Sequence, residues 1–150
     1  MKKIIFIFLA VITIASCSKN IDPIVYGEEA CEFCMMTIVD QSHSAQLVTQ
    51  KGKNFKFDAT ECMINYLEQE NNEDDMLHLL SADYNNPGKM IDATEATFII
   101  SENIPSPMGE FLSALESKSV AEELQKQNGG NLYSWEEVKI QIKQHSKTQH

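Results

Sequence analysis

The hydrophobic pattern changes period several times along the chain, and each change marks an element. Ala45-Gln46-Leu47-Val48-Thr49 reads as a strand, the Lys51-Gly52-Lys53-Asn54 stretch as a turn, and Phe55-Lys56-Phe57 alternates apolar and polar as a half-buried strand does. Cys62, Met63, Tyr66 and Leu67 then follow helical spacing, with Asp58 or Thr60 as the expected cap. Glu68 to Asp75 is acidic and Asn-rich and reads as an exposed loop, Met76 to Ala82 as a mixed strand, and Asn85-Asn86-Pro87-Gly88 as a turn. Earlier in the chain, Met36-Thr37-Ile38-Val39 is β-branched enough to be a strand, followed by a turn at Asp40-Gln41-Ser42-His43.

The second half repeats this style. Lys89–Ala93 and Ala96–Ile100 read as strands, Glu110–Leu115 as extended, and Val120–Gln127 as a helix capped by Ser119 and ended by Gly129-Gly130. A short strand at Leu132–Trp135 and a last helix at Trp135–Gln144 complete the chain, with a frayed tail to His150. Strand, strand, helix, strand thus occurs twice. The pattern predicts an α+β protein of two small, similar ββαβ lobes, at about residues 30–86 and 87–150.

The N-terminus is of a different kind. Lys2 and Lys3 precede an apolar run from Ile4 to Ile14, and small residues follow, so residues 1–16 read as an export signal. The run is too short for an ordinary membrane span. Ile14-Ala15-Ser16-Cys17 resembles a bacterial lipobox, which makes Cys17 the expected lipidation site; the alternative is a soluble exported chain with a free Cys17. Residues 17–29, polar with Pro23 and Gly27, read as the lipidated cysteine and a short tether. Acyl chains would anchor the protein to a membrane without a spanning helix.

The formal net charge of −10 argues against nucleic acid as a partner, because phosphate binding needs a basic surface. No nucleophile–base constellation and no phosphate loop is present, so the chain is not expected to be an enzyme. Removing Cys17 from the count leaves three thiols, Cys31, Cys34 and Cys62, an odd set for a disulfide framework.

The chemistry concentrates in Cys31-Glu32-Phe33-Cys34-Met35-Met36, which packs two thiols and two thioethers into six residues. Soft sulfur ligands of both kinds select Cu(I), while thiolates alone also suit zinc and iron–sulfur clusters. Cys31 and Cys34, three apart, converge on a turn; on a strand starting at Cys34, Met36 shares its face and Met35 points away. The other readings are a redox dithiol, half of a zinc site, or a cysteine pair among core methionines. Cys62, near a helix start where a thiol pKa can be lowered, reads more simply as a small buried apolar residue. His43 could swing towards the sulfurs, whereas His78, His145 and His150 read as ordinary core, surface or tail residues. Met108, between Pro107 and Gly109 in a rigid loop, has no obvious core role.

Taken together these motifs resemble the NosL family, lipoprotein accessory factors of nitrous oxide reductase maturation. The resemblance rests on the Cys31–Met36 motif, on Phe57-Asp58-Ala59-Thr60-Glu61-Cys62-Met63 with Tyr66-Leu67, on Ile91-Asp92-Ala93 with Ala96, on Ser106-Pro107-Met108-Gly109 and on Gly129-Gly130. The chain departs from the family where Gly usually separates the second Cys from the Met, here Met35, and where a Trp usually precedes Ile-Asp, here Met90. The resemblance implies a membrane-anchored, periplasm-facing Cu(I) chaperone of the cell envelope, held at the outer membrane. It implies partnership with an ABC-type maturation transporter and with nitrous oxide reductase, and a fold of two ββαβ lobes. By position it implies Cys34 as the principal thiolate, Met36 and Met108 as thioethers, and Cys31 as a second or assisting thiolate, with Met108 brought in from the second lobe. The competing functions are an extracytoplasmic thiol–disulfide protein using Cys31 and Cys34, and a structural zinc lipoprotein.

Overall fold

The computed structural model describes residues 20–148; the expected signal segment, Cys17 and His150 lie outside them. Along the described residues the elements are β1 (Ala45–Thr49), β2 (Asn54–Phe57), α1 (Thr60–Glu70), a 3-10 turn (Glu73–Asp75), β3 (Met76–Ala82), β4 (Met90–Asp92), β5 (Thr97–Ile100), β6 (Leu112–Leu115), α2 (Lys118–Asn128), β7 (Asn131–Tyr133) and α3 (Trp135–Thr148).

The same topology occurs twice. In the first sheet β1 pairs antiparallel with β2, α1 crosses over, and β3 returns on the other side of β1, giving the order β2-β1-β3-β4. In the second, β5 pairs with β6, α2 crosses over, and β7 returns beside β5, giving β6-β5-β7. This is the expected α+β arrangement of two ββαβ units.

The two sheets share one core. Side chains alternate across a strand, and in β5 this sends Phe98 to one face and Ile99 to the other. Phe98 meets Trp135 of α3 with ring centroids 5.7 Å apart and joins Met63, Leu67, Leu112, Val138 and Ile142 in the cluster that also holds Leu47 and Phe57 of the first sheet. Ile99 packs instead with Ile104, Leu115 and Ala121 in a smaller cluster beneath α2. Helix α1 therefore lies in the seam, with its buried residues Cys62, Met63, Ile64 and Leu67 facing inward. A parallel bridge between Asp83 and Ala114 ties the first sheet's end to β6.

Several sequence expectations change in the folded chain. Met36–Val39 is not a strand: only a single antiparallel bridge, Ala30 to Thr37, forms there, because the segment lies outside both sheets. Met90–Asp92, expected to open the second lobe, hydrogen-bonds to β3 and is the fourth strand of the first sheet. The segment read as a tether is bonded along that sheet from Asn20 onward. Asn54 binds the Asn20 carbonyl and the Asp22 amide, Gln46 binds the Asp22 carbonyl at 2.8 Å, and Lys56 Nζ reaches the Pro23 carbonyl at 2.8 Å and both Glu29 oxygens. The caps differ too: Ala59 and Ser117 occupy the N-cap positions of α1 and α2 without a side-chain hydrogen bond. Part of the supposed acidic loop is a 3-10 turn, in which Glu73 accepts from Trp135 Nε1 at 2.8 Å and pairs with Lys139.

Helix α2 ends as expected, with Gly129 N–H donating to Gln125 C=O at 2.7 Å. The glycine after it is needed for space as well as conformation. At Gly130 φ is +88°, and a Cβ would sit 2.2 Å from the Ile100 carbonyl oxygen and 2.8 Å from Ser101 Cβ. Gly129 also has a positive φ, +72° with ψ −160°, a combination that favours glycine, but a Cβ there meets nothing within 4 Å. Gly130→Ala is therefore expected to cost roughly 2–4 kcal/mol and Gly129→Ala about 1 kcal/mol. Chemical denaturation of the two variants checks this; equal losses would refute the close approach of β7 to β5.

Candidate metal centre

Residues 27–38 fold back on themselves as a narrow hairpin with Cys31–Met36 at its tip. Gly27 N–H donates to Ile38 C=O at 2.8 Å and Ile38 N–H to Glu29 C=O at 2.9 Å. At the tip Cys31 N–H donates to Met36 C=O at 2.8 Å, and Met35 N–H returns to Cys31 C=O at 3.0 Å. So tight a reversal places Met35 in the left-handed region, at φ +63°. Glycine takes this conformation without steric cost, so the departure from the family pattern falls on a residue under strain. Met35 is 73% exposed and Met36 58% exposed. The shared strand face expected for Cys34 and Met36 is absent, because the residues form a turn.

The tip is laid across the junction of β2 and α1 by Glu32 N–H, which donates to Lys56 C=O at 2.9 Å. Four residues after Lys56 the chain enters α1 at Thr60, and the first turn of that helix carries Cys62. The sulfurs of Cys31, Cys34 and Cys62 consequently all lie within 4.8 Å of one another. Cys31 and Cys62 are fully buried, Cys34 is half-buried, and all three are free thiols. Three sulfurs at about 2.3 Å from one ion in a trigonal plane would be spaced about 4 Å apart, using the usual metal–thiolate distance. The spacing thus fits three ligands on one soft ion. Among the described residues no histidine nitrogen or carboxylate oxygen joins the group.

The three thiols are not equivalent. A hydrogen bond from Cys62, supported by backbone N–H groups of Cys34, Asp58 and Phe33, lowers the pKa of Cys31 to about 5 despite its burial. The Cys34 N–H to Cys31 Sγ distance is 3.5 Å. Cys62, which supplies that hydrogen bond, is pushed up by its proximity to Cys31 and by burial, the opposite of the lowering its helix position suggests. Burial also raises Cys34. The surroundings thus favour the thiolate form at Cys31, with Cys62 as its hydrogen-bond donor.

Two buried acids flank Cys62. Asp58 is raised by burial and by the nearby Cys31 charge, although the Val39 amide favours its ionised form, and its Oδ1 has no hydrogen-bond partner among the described residues. Glu61 is fully buried, and burial raises its pKa to about 7. Its Oε1 accepts from the Ser106 hydroxyl, while Oε2 has no partner among the described residues. Ser106 opens the turn Ser106-Pro107-Met108-Gly109, closed by Gly109 N–H to Ser106 C=O at 3.1 Å. Met108, 37% exposed, sits at the corner of that turn. The loop carrying Met108 is thus fastened to the residue immediately before Cys62.

The other candidates have structural roles. His43 is buried with both ring nitrogens occupied, by Asp40 at 2.9 Å and by Ser113 at 3.1 Å, so it ties the two lobes together and is not free to reach the sulfurs. His78 sits within β3 opposite Val48, and His145 pairs with Glu110 at 2.9 Å. Sequence reasoning assigned Cys62 to the core; its place in the sulfur group was signalled only by the odd count of thiols.

Two consequences concern the metal-free protein. Met35→Gly removes left-handed strain and little packing, and is expected to raise the unfolding free energy by about 1 kcal/mol; an unchanged or lower urea midpoint would contradict the strained turn. Glu61, with a folded value near 7 against 4.5 for the free side chain, is destabilising once ionised. Its contribution is neutral below the lower value, and stability falls as pH rises from there through the upper one, by on the order of 3 kcal/mol. Glu61→Gln should therefore match the parent near pH 4 and exceed it at pH 8 in denaturation curves.

Comparison with known proteins agrees with this architecture. The NosL family profile matches residues 24–142. The crystal structure of the copper chaperone NosL from Shewanella denitrificans superposes with a TM-score of 0.69 at 23% identity, covering 79% of this chain and 95% of that one. No curated protein matches the chain. Sulfur-rich hairpin, doubled ββαβ topology and family match together place this chain in the NosL family.

Proposed function

We propose that the protein is a Cu(I) metallochaperone rather than an enzyme, with copper as its cargo, and that Cys31, Cys34 and Cys62 hold the ion. The observation that carries this reading is the group of three sulfurs within 4.8 Å with no histidine nitrogen or carboxylate oxygen joining it among the described residues. Cu(I) accepts soft, low-coordinate sulfur sites, whereas structural zinc takes four strong ligands. The similarity to a protein described as a copper chaperone supports the choice of metal.

The unequal exposure of the thiols suits a carrier. Cys31 and Cys62 hold the ion from the protein side, and half-buried Cys34 faces the side from which an acceptor approaches. Met36 and Met108 offer neutral thioethers there, which stabilise Cu(I) without the grip of a fourth thiolate. Binding releases the protons that Cys34 and Cys62 carry, so uptake is coupled to proton loss. An acceptor's sulfur or imidazole can enter on the open side while the buried pair still holds the ion, and transfer then proceeds by ligand exchange.

The family resemblance extends the proposal to place and purpose. Lipidation at Cys17 anchors the protein to the envelope membrane on its outward face. The copper goes to nitrous oxide reductase by way of an ABC-type maturation complex.

Anaerobic titration of the purified protein with Cu(I) against a competing chelator tests the site. One equivalent is expected, with Cys34→Ser and Cys62→Ser each weakening it at least tenfold, and Met108→Ala weakening it less. Preferential zinc retention with loss of fold on chelation would support a structural zinc protein. A Cys31–Cys34 disulfide that forms readily and no Cu(I) uptake would support redox chemistry.

A further inference from the structure

We infer that Glu61 and Ser106 form a latch that positions Met108 beside the three-cysteine centre, so that both are positioning residues for copper retention. The inference deepens the proposed function and rests on Met108 being a ligand.

The argument begins with a residue that is poorly placed for stability. Glu61 is fully buried, and no cation is bonded to it among the described residues. Burying a carboxyl group costs free energy unless its oxygens are satisfied, yet Oε2 has no hydrogen-bond partner among the described residues. Buried polar groups that the fold leaves half-satisfied mark places where something other than stability sets the sequence.

What Glu61 does hold is a loop. The chain between β5 and β6 crosses over α1, and Glu61 meets it twice. The Ser106 hydroxyl donates to Oε1, and the Leu112 amide, at the loop's far end, lies close enough to favour the ionised carboxyl. The base of the loop is closed by Ser101 N–H to Phe111 C=O at 3.1 Å, and Phe111 takes a left-handed φ of +58° to re-enter β6. A non-glycine residue in that region stores strain of order 1–3 kcal/mol, which persists only where surrounding contacts over-determine it.

The loop is stiff between its fastening point and Met108. Pro107 fixes φ, and the Ser106–Gly109 hydrogen bond closes the turn. Met108 is two residues from Ser106, so its backbone lies within about 7 Å of the latch. On the other side, Glu61 is covalently next to Cys62 and shares its rigid first helical turn. The latch therefore joins one sulfur ligand to the carrier of another by a short, stiff path. Groups that orient metal ligands without touching the metal change affinity by about 10–100-fold when removed.

The test is a double-mutant cycle in Cu(I) affinity, read by chelator competition on the purified protein. Met108→Ala is expected to weaken binding severalfold, and Ser106→Ala to weaken it through Met108 by no more than Met108→Ala does. The double variant should be no weaker than Met108→Ala alone. Glu61→Gln, which keeps an acceptor for Ser106, should retain near-parent affinity, and the Met108 methyl resonance in a methionine-labelled sample should shift on Cu(I) addition in the parent but not in Ser106→Ala. Circular dichroism of the metal-free variants confirms that each is folded. If Met108→Ala weakens binding but Ser106→Ala does not, or if the Ser106 effect is undiminished without Met108, the latch is overturned while the ligand reading stands. If Met108→Ala leaves affinity unchanged, the ligand reading falls and the latch with it.

Discussion

The rest of the site depends on one contact, where the tip of the Cys31–Met36 hairpin lies across the junction of β2 and α1. A single backbone hydrogen bond, Glu32 N–H to Lys56 C=O, sets its height along β2. The Asp58 amide, at the start of the next element, reaches the Cys31 sulfur, and the Val39 amide on the hairpin's outer arm reaches the Asp58 carboxyl. The crossing is held by backbone donors on both sides. Because Cys62 follows Asp58 by one helical turn, the same crossing brings a third sulfur to the first two. The hairpin belongs to neither sheet, and it is also held here by packing, since Cys31 and Ile38 share the core cluster with Phe57, Ala59 and Cys62.

Much of the architecture is readable from local pattern alone. The bounds of β1 and β3 coincide with the segments that alternation and β-branching single out, and Gly129 ends α2 where expected. These are elements whose side chains meet the core on a fixed period. The misread parts are those whose partner lies elsewhere in sequence. Thr37-Ile38-Val39 has strand-forming residues, but only Ala30 is there to bridge. Met90–Asp92 is a strand as expected, but its sheet is decided by β3, which local pattern does not report. Residues 20–29 are polar like a tether because they bond polar groups on the first sheet: Asn54, Gln46 and Lys56.

The site follows the same division. Cys31 and Cys34 announce themselves by spacing, because both lie on one turn. Cys62 sits among Met63, Tyr66 and Leu67 on a helix face, where a thiol and a small apolar side chain leave the same trace in the hydrophobic pattern. His43 is the reverse case. A histidine soon after a cysteine motif suggests a ligand, but its two nitrogens are already committed to Asp40 and Ser113. In both cases the deciding fact is a tertiary partner, which periodicity cannot contain.

The charge around the sulfurs gives the site its direction. Cys31 is the favoured thiolate, Asp58 and Glu61 are buried nearby, and the Cys31 charge works against ionisation of Asp58. These groups oppose one another, and one oxygen of each acid, Asp58 Oδ1 and Glu61 Oε2, has no hydrogen-bond partner among the described residues. A cation among the sulfurs changes the sign of the problem, since it stabilises every anion around it and lowers the thiol pKa values at the same time. A carrier needs both that gain and a way to lose the ion again. In the proposed site the buried sulfurs, with Cys31 favoured as thiolate, supply the first. In the proposed site the partial exposure of Cys34 would supply the second, because a partner could compete for the ion at that sulfur while Cys31 and Cys62 stay buried.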